Sequence, residues 1–336
     1  MELRDRALEL HSRAVVVDAH CDTIHLLSGS QGRYDFKQRN CFGHLDLPRL
    51  RQGGVDVQLF ALCVAPLKTG CGALKHALVL LEAFRRMAEA NRDDLTLIVD
   101  WAGLTNSVAQ GKIAALLTIE GGDPLEGRVE LLHVFHRLGA RGFSMTWNDR
   151  NLLADGVGAG EKAGGLTEFG RQVLREVNRL GMIVDAAHLA RKAFFELLDA
   201  SISPVIVSHA NAAAVSNHRR NLDDAQIKAL RDQGGVIGLT FYPPFVTGRN
   251  EACLNDLMEH FCYIAQRFGV EVLGLGSDYD GIPGTVTGLE DVSRLPLLTA
   301  SLLERGFAEE EIKMILGGNF LRVFSSSLGQ SNVQNE

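Results

Sequence analysis

Apolar residues fall in short, nearly unbroken runs along this chain, and between the runs they recur at the three- and four-residue spacing of one helix face. Eight runs stand out: AVVVDAH (14–20), VDVQLFALCV (55–64), KIAALLTIE (112–120), RGFSMTW (141–147), GMIVDAAH (181–188), PVIVSHA (204–210), GVIGLTF (235–241) and EVLGLGSD (271–278). Continuous rather than alternating runs are what parallel strands covered on both faces require. The stretches LKHALVLLEAFRRMAEANR (74–92), VELLHVFHRLG (129–139), EFGRQVLREVNRLG (168–181) and CLNDLMEHFCYIAQRFG (253–269) read as amphipathic helices, several ending at Gly. Eight strand–helix units predict an α/β fold, a (β/α)8 TIM barrel with extra terminal helices around 2–13 and 308–325. No repeat, low-complexity tract or charge block marks a linker, so one domain over residues 1–336 is expected. The Gly-rich DGVGAGEKAGG (155–165), after the fourth run, is the candidate mobile loop.

Composition narrows the class. With 46% hydrophobic and 22% charged residues the chain can build a large core, which excludes a disordered or fibrous protein. The formal net charge of -7, with no long basic run, gives no reason to expect nucleic acid or an anionic membrane as partner and favours a small molecule. Cys21, Cys41, Cys63, Cys71, Cys253 and Cys262 include no Cys-x-x-Cys pair and read as reduced thiols. The start MELRDRALELHSRAVVVDAH lacks the features of a secretory signal, no segment approaches the ~18 apolar residues of a membrane span, and the tail SNVQNE is polar. A cytoplasmic protein is the expectation, and homo-oligomerisation stays open.

Chemistry enters at the strand ends. His20 and Asp22 end or follow the first run, Glu120 ends the third, His188 the fifth, His209 the sixth and Asp278 the eighth. In this barrel those ends converge on the C-terminal mouth, where active sites of the fold sit. Singly, each has a plain structural reading: a buried histidine satisfied by hydrogen bonds, or a Glu-Gly-Gly turn. Together, three imidazoles and two carboxylates match the donor preference of zinc, with manganese, cobalt or iron as substitutes. Five ligands exceed what one open catalytic zinc takes, so two divalent cations bridged by Glu120 are favoured.

The segments VVDAHCDT (16–23), LTIEGGDPL (117–125), VDAAHL (184–189), VIVSHANAAAVSNHRRNLDD (205–224), GLGSDYDGI (274–282) and GLEDVSRLPLL (288–298) resemble the membrane dipeptidase, or renal dipeptidase, family of amidohydrolase-type metal barrels. The resemblance implies that His20 and Asp22 bind one metal, Glu120 bridges, and His188 and His209 bind the second. It further implies that Asp278 transfers the proton and that Arg220 binds the substrate carboxylate. The implied activity is zinc-dependent hydrolysis of dipeptides, L-Xaa-L/D-Xaa, by a hydroxide shared between two metals. Asp280 competes with Asp278, and a surface ion pair with Asp223 or Asp224 is the structural alternative for Arg220. In one respect the chain departs from the family: Trp147 stands where mammalian members carry a substrate-contacting histidine. It either lines the substrate site, with Asn148 or Asn151 supplying a replacement contact, or merely packs. Other amidohydrolase-type metal hydrolases, an N-acyl amino acid deacylase, a lactonase or a phosphotriesterase-like enzyme, would keep the cluster but lose the Arg220 contact, and a non-catalytic metal-binding protein is the third class.

Overall fold

The computed structural model describes residues 3–29, 33–64 and 72–329; Met1, Glu2, Cys71 and the SNVQNE tail lie outside the described residues. Among the described residues there are nine strands: β1 (Val17–Cys21), β2 (Val57–Cys63), β3 (Leu95–Leu97), β4 (Ile113–Glu120), β5 (Ala140–Ser144), β6 (Ile183–Asp185), β7 (Ile206–Ala210), β8 (Val236–Leu239) and β9 (Leu273–Leu275). All pairings are parallel, in the order β2-β1-β9-β8-β7-β6-β5-β4-β3, and β2 also pairs with β4 along its whole length. That pairing closes eight strands into a (β/α)8 barrel, as the alternation of runs predicts. The ninth strand, β3, is too short to read as a run. It pairs with residues 113–115 of β4, on the edge that β5 takes over from residue 117.

Side-chain parity separates two apolar regions. Val17 and Ala19, Val57 and Leu59, and Ala114 and Leu116 fill the barrel interior with Ile183, Ile206 and Val236. Phe320, Val323, Phe324 and Leu328 of the C-terminal helix Asn319–Leu328 join this cluster and plug the barrel from below. Alternate residues such as Phe60, Leu62, Ala115 and Leu117 belong to the larger cluster under the surrounding helices. The helix expected over 308–325 is broken: Glu309–Lys313 passes into a π turn at Met314–Gly318 before Asn319. Asn319 then reaches the carbonyls of Val270 and Leu273, tying the helix to the base of β9. The Gly-rich loop is anchored rather than loose. Asp155 pairs with Arg150 and accepts from the Gly164 amide, while Gly156 bridges to Leu189. Among the described residues no helix is long and apolar enough to cross a membrane, and Cys21, Cys41, Cys63, Cys253 and Cys262 form no disulfide.

Two irregularities aim the strands at the mouth. Register shifts between Asp18 and Cys21 of β1, and between Val207 and Ala210 of β7, interrupt the period-two alternation where His20 and His209 lie. A bulge re-aims side chains in this way. Two buried carboxylates hold the layer beneath. Asp18 accepts from the backbone N–H and the hydroxyl of Ser277 and from Gln58, while Asp185 accepts from the amides of Ala187 and Ser208.

The bulge of β7 pushes the Ser208 carbonyl oxygen into space left by two glycines: a Cβ on Gly276 or on Gly238 would overlap that oxygen. Gly276→Ala must therefore move β7 or β9, and overpacking of this kind costs about 1–3 kcal/mol. The expected outcome is a Tm several degrees lower together with reduced bound metal, because His209 follows Ser208. Thermal unfolding and metal analysis of the variant check this, and unchanged values of both would contradict it.

Candidate metal centre

The barrel mouth gathers all six strand-end residues that the sequence singles out. His20 and His209 lie in β1 and β7, Glu120 ends β4, and Asp22 follows β1 directly. His188 and Asp278 sit three residues beyond β6 and β9, in loops rather than at strand ends, with φ of +67° and +64°. A non-glycine residue in that left-handed region costs on the order of 1 kcal/mol or more. Both side chains are buried despite the cost.

Glu120 is the centre of the arrangement, and its two oxygens face two different groups. Oε2 lies 3.5 Å from His20 Nε2, which is itself 3.3 Å from Asp22 Oδ2 and 3.8 Å from Asp278 Oδ1. Oε1 lies 2.8 Å from His188 Nε2 and 3.7 Å from His209 Nε2. The two imidazole nitrogens are 2.8 Å apart. His188 donates from Nδ1 to Asn148 Oδ1, which leaves a lone pair on Nε2 aimed into the site.

Electrostatics sets the two groups apart. Burial, reinforced by the positive charges of Arg220 and His20, holds His188 and His209 well below the usual histidine range, so both are neutral donors. Burial also pushes the Glu120 and Asp278 carboxyls up; His20 opposes the shift, while Asp22 adds to it for both. Burial alone would lower His20, but Glu120, Asp22 and Asp278 outweigh it and raise His20 to about 10. Three carboxylates crowd one imidazolium.

These residues fit divalent cations. Glu120 Oε2 is buried and has no hydrogen-bond partner, a costly state for a carboxylate oxygen. Donor atoms of His20, Glu120 and His209 lie within 4.8 Å of one another, as do those of His20, Asp22 and Asp278. The nitrogen and carboxylate donors suit zinc and its neighbours.

A cavity of about 520 Å³ opens onto this cluster, lined among others by Trp147, Asn148, His218, Arg220, Tyr242 and Phe245. Arg220 is only 4% exposed, and among the described residues no carboxylate forms an ion pair with it. Its guanidinium donates to the His209 carbonyl and lies 5.6 Å from the centre of the Phe245 ring. Burial, only partly offset by Asp278 and Glu120, lowers it to about 10. Asp223 and Asp224 pair instead with Arg191 and Arg267, so the surface ion pair considered for Arg220 does not form.

Trp147 stands on the cavity wall with its ring 5.9 Å from that of His188. Asn151 is consumed by Asp123 and the carbonyl of Met145 and takes no part in the cavity, whereas Asn148 orients His188. Asp280 is likewise occupied: its oxygens accept from the His44 amide and the Thr23 hydroxyl. Sequence reasoning misses His25 and Cys63 on the same wall. Cys63 ends β2 and was legible by the strand-end rule, but apolar neighbours hide a cysteine that no second motif marks.

The model of the membrane dipeptidase family (peptidase family M19) matches residues 4–335. The chain is 33% identical to dipeptidase tcpJ of Claviceps purpurea over 324 residues, which cover 91% of this chain and 75% of that protein. Among solved structures it is similar to dipeptidase AC, a metallopeptidase of family M19, with 29% identity, a TM-score of 0.87 and coverage of 94% and 99% of the two chains. A metallopeptidase from Rhodobacter sphaeroides, liganded with a phosphinate mimic of the dipeptide L-Ala-D-Ala, matches at 27% identity and a TM-score of 0.87, over 94% of this chain and 99% of that one.

The upward shifts of Glu120, Asp278 and His20 mean that the metal-free cluster holds protons near neutral pH, whereas ligation needs the deprotonated groups. Cation binding must therefore expel protons, and affinity must weaken as pH falls. Calorimetric titration of metal-depleted protein in buffers of different ionisation enthalpy should report net proton release at pH 7. Binding without proton release would contradict this description of the cluster.

Proposed function

The chain belongs to the membrane dipeptidase family and is a metal-dependent dipeptidase, and from that premise we propose that it cleaves dipeptides at two divalent cations, zinc first among them. In this reading His20 and Asp22 hold one cation, His188 and His209 the other, and Glu120 serves both. The observation that carries it is the division of Glu120, with one oxygen facing His20 and the other facing His188 and His209. When bound, such cations supply an acidified water as nucleophile and a polarised scissile carbonyl.

The chain's own side chains do the rest. Asp278, buried beside His20, accepts the proton of the attacking water and returns it to the departing nitrogen, since an amine anion is not a viable leaving group. Arg220 receives the terminal carboxylate of the substrate. A buried guanidinium with no acidic partner among the described residues is an unfinished ion pair, and a planar, bidentate anion completes it. That contact restricts substrates to those with a free carboxylate one residue past the scissile bond. Trp147 bounds the cavity beside His188; its indole offers one N–H donor and no charge, so it shapes the substrate and does not neutralise it. A cavity of about 520 Å³ suits two residues better than a long peptide. We assign an L residue to the N-terminal side and L or D to the C-terminal side, in keeping with the L-Ala-D-Ala mimic carried by the Rhodobacter sphaeroides relative. The same reading takes the whole chain as one catalytic domain and the cytoplasm as its compartment, in keeping with described cysteines that form no disulfide.

Kinetics on a dipeptide and its C-terminal amide test the reading. Wild-type protein should prefer the free carboxylate, and Arg220→Ala should lower kcat/KM for the dipeptide by about 10- to 100-fold, mainly through KM, while leaving the amide unchanged. Asp278→Asn should instead lower kcat by about two to four orders of magnitude on both substrates. An Arg220→Ala protein that kept the wild-type preference would move the carboxylate contact elsewhere.

A further inference from the structure

The wall of the cavity carries another set of donor atoms beside the cluster. Asp22, His25 and Cys63 each offer one, a carboxylate oxygen, an imidazole nitrogen and a sulfur, and the three lie within 4.8 Å of one another. Their placement follows from the chain. Cys63 ends β2 with the parity of Val57 and Leu59, which fill the barrel interior, so its thiol emerges at the mouth. His25 lies in the helix Ile24–Gly29 that begins as soon as β1 ends, and its ring stacks on that of His76 at 6.0 Å between centres.

Asp22 belongs to both sets because its oxygens face different ways. Oδ2 lies 3.3 Å from His20, within the cluster already described. Oδ1 faces His25 Nε2 at 3.9 Å and is a buried oxygen with no hydrogen-bond partner, on a side chain only 8% exposed. A carboxylate oxygen left so at a polar wall, with a thiol and an imidazole as its neighbours, is accounted for by a cation. His25, with its side chain 39% exposed, leaves the spot open to solvent through the cavity.

We propose that Asp22, His25 and Cys63 form a third cation site, selective for thiophilic dications such as zinc in excess or cadmium, and that its occupation obstructs the substrate cavity. Sulfur and imidazole donors select zinc-like and softer ions over magnesium or calcium. Tetrahedral zinc, with bonds of about 2.0–2.3 Å, sets its donors about 3.3–3.8 Å apart, close to the 3.9 Å that separates His25 Nε2 from Asp22 Oδ1, and the half-exposed His25 has room to adjust. Three protein donors leave the fourth position to water. On binding, the Cys63 S–H gives its proton to solvent, and Glu120 loses the hydrogen bond that this thiol donates. Repulsion from neighbouring dications makes this the weakest of the sites and the last to fill.

The test titrates the enzyme, with its own metal counted first, against cadmium. It reads three quantities: cadmium bound per chain, native metal released, and the ultraviolet charge-transfer band of a cadmium thiolate. The expected result is one added cadmium per chain with the band, no release of native metal, and a rise in the apparent KM. Cys63→Ser should abolish the band, and His25→Ala should keep it but weaken the added binding by about tenfold or more. A band unchanged in Cys63→Ser, cadmium uptake matched by release of native metal, or no uptake at all would overturn the proposal. Should Cys63→Ser fail to fold, unweakened binding in His25→Ala overturns it equally. The site shares Asp22 with the proposed pair but uses its other oxygen. A chain isolated without any cation would therefore count against the pair, while the cadmium titration still decides the third site.

Discussion

Three carboxylates, Asp22, Glu120 and Asp278, are buried around the single imidazole of His20, and this crowding of negative charge is the constraint on which the rest of the molecule turns. Isolated ionised carboxylates are too costly to bury, so the cluster holds protons or cations. Much of the surrounding structure makes sense as support for that choice. Register shifts turn His20 and His209 inward, glycines at 238 and 276 leave room for the shifted β7, and Asn148 fixes the ring of His188. His188 and Asp278 accept unfavourable backbone conformations to reach the cluster. Strain of this sort persists where the surrounding structure over-determines it, as it does at a site built around a ligand.

The same electrostatics explains the substrate side of the cavity. Arg220 is held in the barrel mouth by the His209 carbonyl and the Phe245 ring, with its charge offset only at a distance by the carboxylates of the cluster. In the proposed reading, a site with excess negative charge at its base and, among the described residues, a cation without an ion-pair partner on its wall takes a ligand with an electrophilic carbonyl at one end and a carboxylate at the other. A dipeptide has both. Trp147 alters that pattern in a limited way, since an indole beside His188 changes the shape of the wall without adding charge.

Much of this was legible in the sequence for physical reasons. Parallel strands buried on both faces must be apolar throughout, so the eight barrel strands declare themselves, and a His, Asp or Glu ending such a run has few explanations other than a site. His20, Glu120 and His209 were read in that way. What escaped depends on contacts rather than on pattern. β3 is three residues long and exists through its pairing with β4. The bulges are set by neighbouring strands, and the π turn at Met314–Gly318 by the reach of Asn319. Asp280 could not be told from Asp278 until its oxygens were found spent on Thr23 and His44. His25 is a local neighbour of Asp22, three residues away, but Cys63 lies far off in the chain and comes beside them only because β2 pairs with β1.

In the proposed reading Glu120 would hold two cations, because its two oxygens face different groups of donors. Metal-depleted protein reconstituted with manganese, a substitute compatible with this donor set, tests it directly by electron paramagnetic resonance together with metal analysis. Two manganese ions per chain with an exchange-coupled spectrum are expected, because a shared carboxylate and a short separation would link their spins. A single ion per chain, or two giving only the spectrum of isolated manganese, would contradict it.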